Sequence, residues 1–144
     1  MKGIYVLVIG LDDDRDITAG KRRSYRFRKG WYAYVGSALS GLESRLKRHL
    51  SNAKSQHWHI DYLLEGASIG TIIYAETEEK RECDLANWLS LKLPAVAGFG
   101  CSDCKCRSHL FFCPERESLE RLVNDAFLSL GLKPLSSTNT RPVG

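Results

Sequence analysis

The sequence predicts an α+β fold, in which a small antiparallel or mixed sheet carries helices on its faces. Near-continuous β-branched and aromatic residues from Gly3 to Leu11 are typical of a buried central strand. Apolar residues recur at helical spacing in two later segments, 39–50 and 119–130. A chain of 144 residues suits one domain that buries roughly two thirds of its unfolded surface, and we assign it to residues 1–133.

The first third of the chain is predicted to form three strands in an antiparallel meander. The first strand ends where three consecutive aspartates, residues 12–14, interrupt it. A polar loop follows, and then a second strand in which Tyr25 and Phe27 alternate with arginines. A turn at residues 29–30 leads into the third strand, residues 31–35, which is rich in aromatic side chains.

The third strand passes through a glycine turn into an amphipathic helix. The apolar positions of this helix are Leu39, Leu42, Leu46 and Leu50. Its opposite face is basic and consists of Arg45, Lys47, Arg48 and His49. A short helix is predicted within residues 57–64, ending near Gly66, and the alternation in residues 68–75 favours a further strand.

The remaining chain is predicted to contain two helices and one strand. The first helix lies within residues 76–93 and has as its buried positions Cys83, Leu85, Ala86, Trp88, Leu89 and Leu91. A loop over residues 94–113 contains clustered cysteines and ends in a strand, HLFFC. The second helix spans residues 115–130 and stops at Gly131. Residues 134–144 read as a flexible tail.

Composition excludes several classes of protein. With 43% hydrophobic and 26% charged residues, the chain is not disordered. No apolar run approaches the length of a membrane span, and the first residues become acidic too soon for a signal peptide. We therefore expect a cytoplasmic protein that does not associate with a membrane. Five cysteines, an odd number, suit a reducing compartment better than a disulfide framework.

Two tripeptides on predicted strands carry a resemblance to a known family. They are Gly3-Ile4-Tyr5 and Tyr34-Val35-Gly36, followed by Ser37, Arg45 and His49. Three later strings continue the resemblance: HWHID at 57–61, EC at 82–83 and GFGCSDCKCRSHLF at 98–111. From Gly3 to about Phe112, the chain resembles the GIY-YIG nuclease family, and within it the Uri-type branch of small proteins. The resemblance implies a small mixed sheet with helices on its faces and metal-assisted hydrolysis of phosphodiesters.

The resemblance implies roles for five residues. Glu82 would hold one Mg²⁺ or Mn²⁺, a hydrated ion that needs few protein ligands. Tyr5 would act as general base or position the attacking water, with Tyr34 as its hydrogen-bonding partner. Arg45 is the candidate phosphate clamp, because a guanidinium offers paired donors to two phosphate oxygens. His49 is a candidate proton shuttle. No organic cofactor is expected.

These residues also have purely structural explanations. Glu82 belongs to an acidic run and is read on its own as a solvated glutamate. Tyr34 is equally well read as a half-buried core residue. His49 lies near a helix end, where a cation is mildly favoured.

Two histidine and cysteine motifs are candidate metal ligands. In HWHID, His57 and Asp61 share a helix face and are predicted to pair rather than to bind a metal, with Trp58 in the core. The possible zinc ligands of the cysteine loop are Cys101, Cys104, Cys106 and His109. Because these lie so close together in the chain, we favour partly buried thiols near the active face over a structural zinc site.

Basic residues suggest the surface that would bind nucleic acid. They lie in the second strand and the first helix: Lys21, Arg22, Arg23, Arg26, Arg28, Lys47 and Arg48. The 28 residues between Tyr5 and Tyr34 exceed the spacing usual in the family, and they form either a DNA-gripping arm or a branch-specific elaboration. The family's late asparagine is absent from the cysteine loop, where Ser102 or Asp103 are the candidates for its place.

The sequence therefore predicts a small metal-dependent endonuclease that acts on DNA. Two alternatives stay open: a nucleic-acid-binding module that does not cut, and a zinc-stabilised interaction domain. The preferred DNA structure and the oligomeric state do not follow from the sequence.

Overall fold

The structure confirms the α+β class. The computed structural model describes residues 1–19, 23–38, 41–51, 59–96, 99, 106 and 108–138. The strands within these residues are β1 (Gly3–Leu11), β2 (Arg15–Ala19), β3 (Arg23–Phe27), β4 (Gly30–Ala38), β5 (Ser68–Glu76), β6 (Leu110–Cys113) and β7 (Leu135–Thr138). The helices within them are α1 (Leu42–Leu50), α2 (His59–Leu64), α3 (Glu82–Ser90) and α4 (Arg116–Ser129).

Five strands form one antiparallel sheet in the order β6-β4-β1-β5-β7. β1 lies at its centre and is buried along nearly its whole length, as its continuous apolar sequence predicted. The predicted meander is wrong, because β1 pairs directly with β4 and the chain between them leaves the sheet. There β2 and β3 form a separate hairpin. β2 was predicted as loop because Ile17 is its only large apolar residue.

The side chains of β1 alternate between two separate hydrophobic cores. On one face of the sheet lie Ile4, Val6 and Val8. On the other lie Tyr5, Leu7, Ile9 and Leu11. A central strand covered on both faces must be apolar throughout, which explains the uninterrupted pattern of its sequence.

The first core, which we call the helix face, is closed by α3 and α4. Its helical members are Leu85, Ala86, Leu89, Leu119, Val123, Ala126 and Phe127, each at most 1% exposed. The second core, which we call the site face, is closed by α1, α2 and the hairpin, through Leu42, Ile60, Leu63 and Phe27. Phe99 joins the hairpin to the sheet: its ring centroid lies 6.0 Å from that of Phe27 and 6.3 Å from that of Tyr34.

α3 (Glu82–Ser90) lies within the range predicted for it, residues 76–93. Two other predictions for the second half of the chain need correction. Leu91, predicted to be buried, follows the end of α3 and is 81% exposed. The tail predicted from residue 134 contains β7, which pairs with β5. All four β7 side chains are exposed, so no apolar alternation marks this strand in the sequence.

The end of α4 agrees with the prediction. Gly131 follows the helix with a φ of 74°, a left-handed conformation that glycine adopts without steric cost. None of the helices described in the structure is long and apolar enough to cross a membrane.

Candidate active site and metal-binding group

Tyr5 on β1 lies directly beside Gly36 on β4. The two residues are partners in the antiparallel register of these strands. A Cβ atom on residue 36 would overlap the ring and hydroxyl group of Tyr5. A glycine is therefore required at this position for the phenol to occupy its place against the β4 backbone.

α1 brings two further side chains to the phenol. The Tyr5 hydroxyl shares a hydrogen bond of 2.7 Å with Nε2 of His49. Arg45 lies one turn earlier on the same helix, close enough to Tyr5 for its charge to act on the phenol, and donates from Nη1 to the carbonyl oxygen of Ser37 at 3.1 Å. Tyr5 is 1% exposed and His49 2%, whereas Arg45 is partly exposed. Arg45 is therefore the member of this trio that faces solvent.

Both phenols near this cluster are held in the protonated form. Burial raises the pKa of Tyr5 to about 12, although the Arg45 guanidinium opposes the change. Burial also raises the pKa of Tyr34, whose ring centroid lies 6.3 Å from that of His49. At neutral pH neither residue is a phenolate, so neither can act as a base without passing on its own proton.

Glu82 occupies the first position of α3 and is partly exposed. Burial contributes most to the raised pKa values of Tyr5 and Tyr34, and the Glu82 charge adds to both. Burial lowers the pKa of His109, and the same charge opposes that change. The carboxylate therefore lies at the same end of the sheet as the Tyr5 hydroxyl. Within the described parts of the chain no cation forms an ion pair with Glu82.

The fold thus brings together residues that the sequence analysis took from four different elements. Tyr5, Tyr34, Arg45 and His49 form one connected cluster, and Glu82 acts on it electrostatically. Their catalytic roles stay predictions.

A group of potential metal ligands lies beside Glu82. The ligand atoms of Cys83, Cys106 and His109 all lie within 4.8 Å of one another. Sγ of Cys83 is 4.0 Å from Nε2 of His109. Two of these residues belong to the cysteine loop that the sequence analysis considered for zinc. The other two loop candidates, Cys101 and Cys104, lie outside the described residues.

Comparison with known proteins places the chain in a family. The family model described as "Domain of unknown function DUF123" matches residues 4–132. The chain belongs to this family. No curated protein and no solved structure matches it. The matched range of the DUF123 domain includes every element of the candidate site, from Tyr5 to His109.

The described residues of this DUF123 chain that were predicted to bind nucleic acid lie on or beside the β2–β3 hairpin and on α1. On β3, Arg26 is exposed and pairs with Asp16 on β2 at 3.3 Å. Arg28 follows the hairpin, and its guanidinium carbon lies 4.2 Å from the centre of the Phe112 ring. Lys47 is exposed on α1. Lys21 and Arg22, and the side chain of Arg23, lie outside the described residues.

Arg48 has a structural partner that the sequence analysis did not identify. Its guanidinium donates two hydrogen bonds of 3.0 Å to the carboxylate of Asp61, whose side chain is fully buried. The predicted partner of Asp61, His57, lies outside the described residues, as does Trp58. The ion pair joins α1 to α2 and positions the helix that carries Arg45 and His49.

Cys83 is the metal-ligand candidate that the sequence analysis missed. It was interpreted as a buried helix position because it precedes the apolar stretch of α3. The sequence feature that could have identified Cys83 as a metal ligand was its position directly after Glu82, the residue already predicted to bind a metal. Only the fold shows that the first turn of α3 lies against the segment before β6.

Proposed function

We propose that this protein is a divalent-metal-dependent endonuclease that hydrolyses phosphodiester bonds in DNA. The observation that carries the proposal is the convergence of a phenol, an imidazole and a guanidinium at one point, with a carboxylate close by. Cleavage of a phosphodiester needs a route for the proton of the attacking water and positive charge near the phosphate oxygens. The cluster contains a candidate for each.

The proposal includes membership of the GIY-YIG nucleases. In support of it, the two tripeptides that carry the resemblance lie on adjacent strands, with Tyr5 of the first beside Gly36 of the second. The steric need for glycine at residue 36 gives a physical reason for the motif, since the tyrosine of one strand requires the glycine of the other.

In the proposed reaction Tyr5 and His49 act as a proton relay. The raised pKa of Tyr5 excludes a resident phenolate at neutral pH. The Tyr5 hydroxyl would instead take a proton from the attacking water while it gives its own to Nε2 of His49, along the existing hydrogen bond of 2.7 Å. Arg45 would place its positive charge beside the phosphate oxygens.

Glu82 is the residue proposed to hold Mg²⁺ or Mn²⁺. Its carboxylate is partly exposed, and in the described residues it forms no ion pair that a metal would have to replace. One carboxylate suffices for an ion that keeps most of its hydration shell. When bound, the metal would supply charge neutralisation at the phosphate.

DNA would approach along the β2–β3 hairpin and α1. The hairpin is adjacent to the cluster because Phe99 packs against both: its ring centroid lies 5.3 Å from that of Tyr25 on β3 and 6.3 Å from that of Tyr34. Exposed basic groups on the hairpin and α1, such as Arg26 and Lys47, would attract the phosphate backbone. We also propose that the protein is located in the cytoplasm.

The test is a cleavage assay with the purified full chain. Duplex, nicked and branched DNA are incubated with Mg²⁺ or Mn²⁺, and products are resolved on denaturing gels. We expect Glu82→Gln, which keeps the side-chain shape but removes the charge, to lower the rate about 100-fold or more. Glu78→Gln is the matched control, because Glu78 is an exposed glutamate just before α3. Equal rates for the two variants would refute the assignment of Glu82.

One observation favours a second function, a nucleic-acid-binding module that does not cut. Tyr5 and His49 are almost completely buried. A relay that accepts a proton from the attacking water must contact that water molecule, and burial opposes this contact. This alternative predicts DNA affinity that falls steeply with salt and no cleavage of any substrate with either metal. Metal-dependent cleavage by the wild-type protein would exclude it.

A further inference from the structure

Cys83, Cys106 and His109 present two thiol groups and one imidazole around a common point. Their ligand atoms lie within 4.8 Å of one another, and Sγ of Cys83 is 4.0 Å from Nε2 of His109. Ligand atoms around a tetrahedral zinc ion are separated by about 3.5–3.8 Å, given the usual zinc–sulfur and zinc–nitrogen bond lengths. Small side-chain rotations would therefore bring the three residues into coordinating positions.

The backbone holds one of the three ligands firmly. The N–H of His109 donates to the carbonyl oxygen of Phe99 at 2.8 Å, and the carbonyl oxygen of His109 accepts from the N–H of Val35 on β4 at 2.9 Å. His109 is also 6% exposed. The backbone of His109 is thus anchored next to β4, and its side chain is nearly buried.

Cys83 comes from a separate element, and this removes the main objection to zinc. A site made only from the cysteine loop would draw all its ligands from a short stretch of chain and would be strained. In the structure the first turn of α3 supplies one thiol, and the segment before β6 supplies a thiol and the imidazole. Structural zinc sites are commonly built from two such separated segments.

The chemistry of the ligands selects the metal. Thiolate and imidazole are preferred by zinc, whereas Mg²⁺ and Mn²⁺ prefer oxygen ligands. We propose that Cys83, Cys106 and His109 bind one zinc ion, which ties the start of α3 to the sheet and fixes the direction of the neighbouring Glu82 carboxylate. The zinc site is distinct from the Mg²⁺ or Mn²⁺ position proposed at Glu82 and does not depend on nuclease activity.

Metal analysis of the full chain tests the proposal. Protein purified without chelator should contain about one zinc ion per chain, as measured by inductively coupled plasma mass spectrometry. Cys83→Ser and His109→Gln should each reduce this content to near zero. Cys113→Ala is the matched control, because Cys113 is a buried cysteine outside the ligand group, and its zinc content should equal that of the wild type. Unchanged zinc in Cys83→Ser would overturn the proposal.

A spectroscopic measurement on the wild-type chain covers the case in which a ligand variant does not fold. Zinc is removed and replaced by Co²⁺, which gives intense visible bands in a tetrahedral site and an ultraviolet charge-transfer band when thiolates coordinate it. Both bands are expected; absence of the charge-transfer band would refute thiolate coordination. Glu82→Gln should keep its zinc even where it loses cleavage, so the two proposals can fail separately.

Discussion

The two faces of the central sheet contrast sharply in chemistry, although the same strands build both. On the helix face, Ile4, Val6 and Val8 of β1 belong to a core that apolar side chains of α3 and α4 close. On the site face, the intervening residues of β1 share their layer with a buried histidine and a buried aspartate. Successive residues of β1 therefore point to opposite faces of the sheet. One face is an apolar core, and the other is the core that contains the candidate site.

On the site face, three polar side chains form specific hydrogen-bonded pairs. Tyr5 bonds to His49, Asp61 to Arg48, and the Tyr32 hydroxyl donates to the carbonyl oxygen of Arg28 at 2.7 Å. Buried polar groups destabilise a fold unless they are hydrogen-bonded, so each pair depends on both members. On the helix face, α3 and α4 contribute mainly apolar side chains to the core, and the buried hydroxyl of Thr71 on β5 is hydrogen-bonded to Glu120 and Arg116 of α4. We expect the site face to be less tolerant of small chemical changes.

The largest expected effect is that of breaking the Arg48–Asp61 ion pair. Asp61→Asn keeps the shape of the side chain but leaves the guanidinium without its buried counter-charge. Because Arg48 retains 27% exposure, we expect a loss near the lower end for buried pairs, about 3 kcal/mol of unfolding free energy. Urea denaturation followed by circular dichroism measures it.

The hairpin offers a matched control for this substitution. Asp16 and Arg26 form a similar pair at 3.3 Å, but their side chains are 71% and 69% exposed. Asp16→Asn should therefore change the unfolding free energy by less than about 1 kcal/mol. Similar losses for both variants would contradict the distinction between buried and surface pairs.

The sequence was informative where one apolar pattern dominates. β1 and α4 followed from continuous and helically spaced apolar residues, and the glycine at 131 marked the end of α4. It failed for β7, whose side chains are exposed, and for the separate hairpin, because strand pairing depends on the whole fold. These elements carry no local signal strong enough to fix their partners.

The candidate site was predictable only in part. The resemblance supplied the residues that converge on Tyr5, but it could not supply their protonation state, which burial determines. The Arg48–Asp61 pair and the place of Cys83 beside His109 join segments distant in sequence. Such contacts follow from tertiary packing, and residue spacing does not encode them.

The second prediction uses the pH dependence of stability to test the burial of Tyr5. Its pKa is about 12 in the folded chain against 10.0 as the ordinary value. As pH rises, Tyr5 therefore loses its proton in the unfolded chain before it does so in the folded chain. The stability associated with the protonated phenol of the folded state is complete below pH 10 and is lost as pH rises toward 12. Each pH unit in this window should remove about 1.4 kcal/mol.

The comparison is between wild type and Tyr5→Phe, by urea unfolding from pH 9 to pH 11. Because phenylalanine does not ionise, the variant should lose less stability than the wild type over this range, by about 1.4 kcal/mol. The remaining tyrosines contribute equally to both proteins and cancel. Parallel pH profiles would show that the Tyr5 hydroxyl is not buried.

The third prediction concerns two glycines near opposite ends of the β1–β4 pair. At Gly36 a Cβ would overlap the Tyr5 phenol, and at Gly10 it would press against the Trp31 ring. Gly36→Ala and Gly10→Ala should each cost about 1–3 kcal/mol through overpacking. Only Gly36→Ala should displace the phenol from His49, return the pKa of Tyr5 toward its ordinary value and abolish any cleavage. Tyrosine absorbance during a pH titration separates the two variants, and a Gly36→Ala protein that titrates like wild type would disprove the steric link between the two strands.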